Sequence, residues 1–89
     1  MAHEIDGRRA VFFTRATNGQ TIPLIALEGE PEARELDFVT VSHIQRAATE
    51  SGLGVDGIVA RLNKSAGYTP DEVQAIIDSS IAASFKVKP

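Results

Sequence analysis

The strongest local signal in this 89-residue chain is the start of a helix at Thr69. Thr69 is a favourable N-cap residue, and Pro70 suits the first helical position, where a backbone N–H would have no intrahelical partner. Glu72 stands three residues after Thr69, so its carboxylate can accept a hydrogen bond from the N–H of the cap residue. Tyr68 and Val73 occupy the two positions of a hydrophobic staple. The pattern therefore predicts a helix that begins at Pro70.

Beyond this start, apolar residues recur at helical spacing and form one broad face. They are Val73, Ile76, Ile77, Ile81 and Phe85. Ser80 and Ser84 project near the middle of that face. Their small side chains favour the close approach of another element, with the hydroxyls bonding the preceding turn, over a polar binding site. This helix, to residue 85, is predicted to be the main core element.

A β-hairpin is indicated by Asn18-Gly19, which separates two apolar runs and suits a type I′ turn. Strands are predicted over residues 9–17 and 20–28. A two-residue loop places Pro23 opposite Thr14 at a non-hydrogen-bonded position. Because the missing N–H of Pro23 then points away from the first strand, the second strand is predicted to be an edge.

The segment 28–35 is rich in glutamate and contains Gly29 and Pro31, which predicts a solvated acidic loop. Residues 36–41 are mainly β-branched, apolar or aromatic and predict a third strand, on the free side of the first strand. The implied strand order is 2-1-3. An alternative interpretation is a helix that begins at Pro31 and runs through Phe38.

Two further helices are predicted between this segment and Thr69. Ser42-His43-Ile44-Gln45 matches the capping-box pattern, which places a helix from His43 to Ser51, ended by Gly52 or Gly54. The next helix spans residues 55–65 and ends at Gly67.

The sequence therefore predicts one α+β domain over residues 1–89. Its N-terminal part, residues 9–41, is an antiparallel β-hairpin within a two- or three-stranded sheet. This sheet packs against a three-helix unit, residues 42–85, and residues 86–89 form a tail.

The composition of the chain argues against several kinds of function. The chain has no cysteine and only two histidines, His3 and His43, so the sequence predicts neither a metal nor another cofactor. Its carboxylates fall mainly in the acidic loop or at helix starts, which favours a non-enzymatic protein. No apolar run is long enough to span a membrane, and residues 1–4 do not resemble a signal peptide, so a cytoplasmic protein is expected.

A helix-turn-helix protein that binds DNA through residues 55–65 is the alternative function. The segment Val59-Ala60-Arg61-Leu62-Asn63, followed by a turn and a Thr-capped helix, resembles the headpiece of the lactose-repressor family over barely half the chain. Ser51 and Arg61 stand where the motif has apolar residues, and the turn between the helices is expected to be longer than in the motif. The net charge of −3 also disfavours nucleic acid as the partner.

The leading hypothesis is a small interaction module that binds another protein: a regulator, an assembly factor or an inhibitor, of the kind that phages and mobile elements encode. A homodimer formed through a sheet edge is one form of this hypothesis. The candidate binding residues are Glu30, Glu32, Arg46, Arg61, Asn63, Lys64 and Tyr68.

Overall fold

A computed structural model describes residues 4–86 and shows an antiparallel sheet followed by three helices, which confirms the α+β fold. Within these residues, four strands, rather than two or three, form the sheet in the order β1-β2-β3-β4. The elements are β1 (Glu4–Ile5), β2 (Arg8–Thr17), β3 (Gln20–Leu27), β4 (Arg34–Glu35), α1 (Phe38–Ser51), α2 (Gly54–Ser65) and α3 (Pro70–Lys86). Within residues 4–86, no helix has the length and apolar character needed to cross a membrane. Of the predicted tail, residues 87–89 lie outside the described residues.

The predicted hairpin is confirmed with its register. Asn18 and Gly19 have positive φ values of 52° and 76°, as a type I′ turn requires, and Thr14 lies opposite Pro23. A second turn of the same kind, which the sequence interpretation missed, joins β1 to β2. There Asp6 and Gly7 have φ values of 55° and 74°.

The predicted third strand and the strand order 2-1-3 are wrong. β4 pairs with the side of β3 that faces away from β2, through Leu24↔Glu35 and Ile25↔Arg34. The second strand of the hairpin is therefore not an edge along these two residues. In chain order the pairing with β4 begins at Leu24, immediately after Pro23, which has no N–H to extend it.

Residues 38–41 are helical because Asp37 caps α1. Asp37 has extended backbone geometry, and its carboxylate accepts a hydrogen bond from the Thr40 N–H at 3.2 Å. The start predicted at His43 is therefore wrong by one to two turns, as is the alternative helix from Pro31. A strong local cap has overridden the β-propensity of this segment.

The ends of the first two helices match the prediction. Gly52, with φ 73°, ends α1 and donates its N–H to Ala48 O at 3.1 Å. Only Gly52 and Leu53 separate α1 from α2, so the turn is shorter than expected. α1 and α2 pack through a cluster that contains Ile44, Ala48 and Ile58.

The end of α2 is a Schellman motif. The N–H of Gly67 bonds Lys64 O at 3.0 Å, and the N–H of Tyr68 bonds Asn63 O at 3.1 Å. Gly67 has φ 95°, which explains the requirement for glycine. The motif fixes Tyr68 close to the last turn of α2.

The capping box at the start of α3 is confirmed by two reciprocal bonds. The N–H of Thr69 reaches Glu72 Oε1 at 3.0 Å, and the N–H of Glu72 reaches Thr69 Oγ1 at 3.2 Å. The first half of α3 packs on the sheet through Ile76, which contacts a cluster containing Val11 and Ala26.

The prediction that this helix, to residue 85, is the main core element is wrong for its second half. Ile81 is 50% exposed and Phe85 is 68% exposed. α3 leaves the sheet near the end of β3, where the Ser80 hydroxyl donates to Leu27 O at 2.8 Å. Ser80 thus bonds the sheet, whereas Ser84 bonds Ile81 O in the preceding turn as predicted.

Thr69→Ala is expected to lower the free energy of unfolding by about 1 kcal/mol, because it removes the side-chain acceptor for the Glu72 N–H. Urea denaturation measures the change. Thr49→Ala is the matched control: the Thr49 hydroxyl bonds Gln45 O within α1, and alanine is the better helix former. Equal losses in the two variants would contradict a capping role for Thr69.

Candidate functional site

A groove of about 880 Å³ lies between the edge of β2 and the junction of α2 and α3. Much of its lining is apolar and includes Phe12, Phe13, Val59, Val73 and Ile77. Its polar residues come mainly from α2 and from the turn that follows it. A volume of this size and an apolar lining with few polar groups are typical of binding sites.

Asn63 joins α2 to the edge of β2. Its side chain is buried, its Nδ2 donates to Phe12 O at 2.8 Å, and its Oδ1 accepts from the Phe12 N–H at 2.8 Å. In the register of the hairpin, Phe12 and Ile25 form a non-hydrogen-bonded pair, so these backbone groups of Phe12 point away from β3. The Asn63 amide therefore replaces a neighbouring strand at this position.

Tyr68 forms part of the groove wall and of the core. It is buried against a cluster that includes Val11 and Ile76. Burial raises the pKa of the Tyr68 phenol, and a hydrogen bond with the Ala10 backbone opposes this rise. Tyr68 and Asn63 thus bond the backbone of Ala10 and of Phe12, which are two residues apart on one edge of β2.

The groove has groups of both charge signs. The Thr14 hydroxyl donates to the carboxylate of Asp56 on α2. Lys64, two turns further along α2, is exposed. A ligand in the groove would therefore meet an apolar surface with an anionic and a cationic side chain beside it.

Arg9 connects the sheet to the start of α3. Its Nη2 lies 2.5 Å from Glu28 Oε2 and its Nη1 lies 3.7 Å from Glu72 Oε2. The hydrogen bond from Arg9 lowers the pKa of Glu28. The pKa of Glu72 is lowered mainly by its hydrogen bond with the Thr69 backbone, and the Arg9 charge adds to this effect.

The lowered pKa of Glu28 makes a testable contribution to acid stability. The folded state binds this proton less readily than the unfolded state, so the contribution is present above the ordinary pKa of 4.5 and is lost as the pH falls through the folded-state value. In Glu28→Gln, the free energy of unfolding is therefore expected to fall less steeply than in the wild type between about pH 5 and pH 3. Urea denaturation at a series of pH values measures both slopes.

The control for this experiment is Glu50→Gln, which alters an exposed carboxylate on α1. Only a change in slope larger than that in this control reports on the Arg9–Glu28 pair. A Glu28→Gln profile parallel to the wild type would show that the Arg9–Glu28 pair does not stabilise the fold.

The structure brings three of the seven predicted binding residues to the groove. These are Asn63, Lys64 and Tyr68, of which only Lys64 is exposed. The other four do not line it: Arg46 and Arg61 are exposed on α1 and α2, Glu32 is exposed in the acidic loop, and Glu30 is half-buried there.

Part of the acidic loop is already engaged by Arg34. Arg34 Nε lies 2.8 Å from Glu30 Oε1, and Arg34 Nη2 lies 2.9 Å from Asp6 Oδ2. The hydrogen bond from Arg34 lowers the pKa of Glu30. These ion pairs tie the loop to the turn between β1 and β2.

The sequence interpretation did not identify Phe12, Asp56 or Val59 as part of a site. One signal for the α2 side was available. Asn63 follows Val59 by four residues and so lies on the apolar side of α2, where a polar side chain requires a partner.

Comparisons with known proteins give no indication of the function of this chain. No family model, no curated protein sequence and no solved structure matches the chain. Among the described residues, no group of three or more His, Cys, Asp or Glu side chains is arranged to hold a metal ion.

Proposed function

We propose that this chain is a non-enzymatic binding module that holds an apolar segment of another protein in the groove between β2, α2 and α3. The observation that supports this function is the apolar lining of the groove, which is open to solvent beside an exposed apolar strip of α3. Burial of a partner's apolar side chains there would supply the main driving force. In this proposal the protein acts in the cytoplasm as a regulator, an assembly factor or an inhibitor of its partner.

The scaffold of the groove suits recognition. One wall is a β-strand edge held in place by the Asn63 amide, and the opposite wall is the first half of α3, which begins with a capping box. Because regular elements hold both walls, a partner binds with little loss of conformational entropy in this protein.

A matched pair of substitutions tests the proposal. Ala60 is exposed and lines the groove, so Ala60→Arg fills the groove without changing a buried residue. Ala75→Arg makes the same change at an exposed position of α3 outside the groove lining. Any difference in binding between the two variants reports on the groove.

The probe is a displayed library of short random peptides selected on the wild-type protein, followed by calorimetry with the enriched peptides. Enriched peptides should carry apolar side chains at helical or alternating spacing. Ala60→Arg is expected to weaken their binding at least about tenfold and Ala75→Arg to leave it unchanged. Equal affinity for the two variants, or no enrichment at all, would overturn the proposal.

DNA binding through α2 is the second candidate function. It is favoured by the two-residue link between α1 and α2, in which Gly52 has positive φ, and by exposed Arg46, Arg61 and Lys64. Against it, Val59 and Asn63 are buried, so the side of α2 on which they lie cannot enter a DNA groove.

An electrophoretic shift assay with a random double-stranded DNA pool at about 50 mM salt tests this second candidate, because phosphate contacts are strong at low salt. Binding that is weakened by Arg61→Ala and Lys64→Ala, and that falls as salt rises, would support it. No shift under these conditions would remove it.

A further inference from the structure

The exposed end of α3 continues the groove as one apolar row. Val73 and Ile77 line the groove, and Ile81 and Phe85 follow at the same spacing of four residues. Residues four apart form a ridge on a helix surface, and two such ridges pack together in the commonest class of helix–helix contact. The ridge from Val73 to Phe85 is about 18 Å long.

This ridge is complementary to itself when a second helix runs antiparallel to the first. About a two-fold axis near residue 79, Val73 faces Phe85 of a second copy and Ile77 faces Ile81 of a second copy. Phe85, the most exposed side chain of the ridge, then meets the half-buried Val73 at the other end of the partner's ridge. Phe85 of each copy enters the groove of the other beside Val73.

The charges along α3 favour the same arrangement. Asp71 and Glu72 lie in its first turn, whereas Lys86 is its last residue. An antiparallel pair brings the acidic first turn of each helix towards the end of the other helix that carries Lys86. A parallel pair would instead place like charges together.

We infer that the occupant of the groove is a second copy of this chain, bound through an antiparallel α3–α3 contact in which Phe85 is exchanged between the grooves. This inference rests on the proposed function, since it names the partner of the same groove. It differs from a sheet-edge dimer, because it needs no pairing of β-strands between copies.

Sedimentation equilibrium tests the inference over a protein concentration of about 5–500 μM, a range wide enough to follow mass action. The weight-average mass should rise from 9.5 kDa towards twice that value. Phe85→Asp should weaken the association at least about tenfold. Phe38→Asp makes the same change at an exposed phenylalanine of α1 and should leave the association unchanged.

Two outcomes of this experiment would overturn the inference. One is a wild-type mass that stays at 9.5 kDa over the whole range. The other is an equal effect of the two Phe→Asp variants, with circular dichroism showing that both are folded.

The absence of natural cysteines allows a direct test of the geometry. A Val73→Cys protein mixed with a Phe85→Cys protein should form an intermolecular disulfide on mild oxidation, because the two positions face each other across the contact. A Val73→Cys protein mixed with a Phe38→Cys protein should not. Equal yields in the two mixtures would overturn the antiparallel arrangement.

The failures of the two proposals are distinguishable. A monomeric wild type that still binds selected peptides in an Ala60-dependent manner would reject the second copy as occupant and keep the groove as a binding site. Peptide binding that does not depend on Ala60 would reject the groove itself.

Discussion

Asn63→Ala is expected to lower the free energy of unfolding by about 2–4 kcal/mol, because two backbone groups at the edge of β2 lose their amide partner together. Asn63 is only 4% exposed, and its two hydrogen bonds to Phe12 are each 2.8 Å long. Water cannot readily replace an amide at so buried a position. Urea denaturation followed by circular dichroism measures the change.

Asn63→Asp distinguishes the hydrogen bonds from simple packing, since the side chain keeps its size. The oxygen that accepts from the Phe12 N–H is retained, but the donor to Phe12 O becomes a second carboxylate oxygen. At neutral pH the loss of stability should therefore be at least as large as in Asn63→Ala.

Lowering the pH should partly restore the stability of the Asn63→Asp variant but not that of the Asn63→Ala variant. Burial beside a carbonyl raises the pKa of the introduced carboxyl above its ordinary value of about 3.9. A raised folded-state pKa contributes stability that is present at low pH and lost as the pH rises, so this variant gains on the wild type as the pH falls. The protonated carboxyl can again donate to Phe12 O.

Lys64→Ala is the matched control for both Asn63 variants, because Lys64 is the next residue of α2 and is exposed. Its effect is expected to stay within about 0.5 kcal/mol. A loss in Asn63→Ala no larger than that in Lys64→Ala would contradict the strand-replacing role of the Asn63 amide.

The parts of the fold that were predictable from sequence are those that neighbouring residues determine. Asn18-Gly19 specifies a turn by its own backbone preference, and the hairpin register follows from the turn. Thr69 and Glu72 satisfy each other's N–H groups within a single helical turn. Neither feature requires a distant partner.

The first helix was misplaced because two local signals compete in the same segment. Ser42 begins a capping box, but Asp37 begins a helix earlier, and the β-branched residues between them favour a strand. β1 and β4 have only two residues each, too few to show a period of two. The turn at Asp6-Gly7 was nevertheless available as a signal for β1.

The groove was not predictable because its parts are distant in sequence. Asn63 and Phe12 are 51 residues apart, and no spacing rule connects a helix side chain to one backbone position of a strand. The sequence indicated Asn63 and Lys64 as neighbours on a binding helix. Folding turns Asn63 inward to the sheet and leaves Lys64 exposed.

The second large effect is expected from Ile76→Ala, at about 2–5 kcal/mol of lost stability. Ile76 is fully buried in the cluster that contains Val11, Ala26 and Tyr68, so truncation leaves a cavity between α3 and the sheet. A domain of this size has a total stability of about 4–13 kcal/mol. Thermal denaturation should therefore show a fall in the melting temperature of at least about 10 °C.

Ile81→Ala is the matched control, since it makes the same truncation on the same helix at a half-exposed side chain. Its cost in stability is expected to be below about 1 kcal/mol. Equal losses in the two variants would mean that the second half of α3 is buried within the monomer, which would contradict an exposed ridge.

The same two variants separate stability from association. Ile81 lies on the ridge proposed to contact a second copy, so Ile81→Ala should weaken dimerisation while the monomer stays almost as stable as the wild type. Ile76 faces the sheet, so Ile76→Ala should leave the dimerisation of folded molecules almost unchanged. Ile76→Ala should thus reduce stability but not dimerisation, and Ile81→Ala should reduce dimerisation but not stability. This result is required if α3 uses one side for the core and the other for a partner.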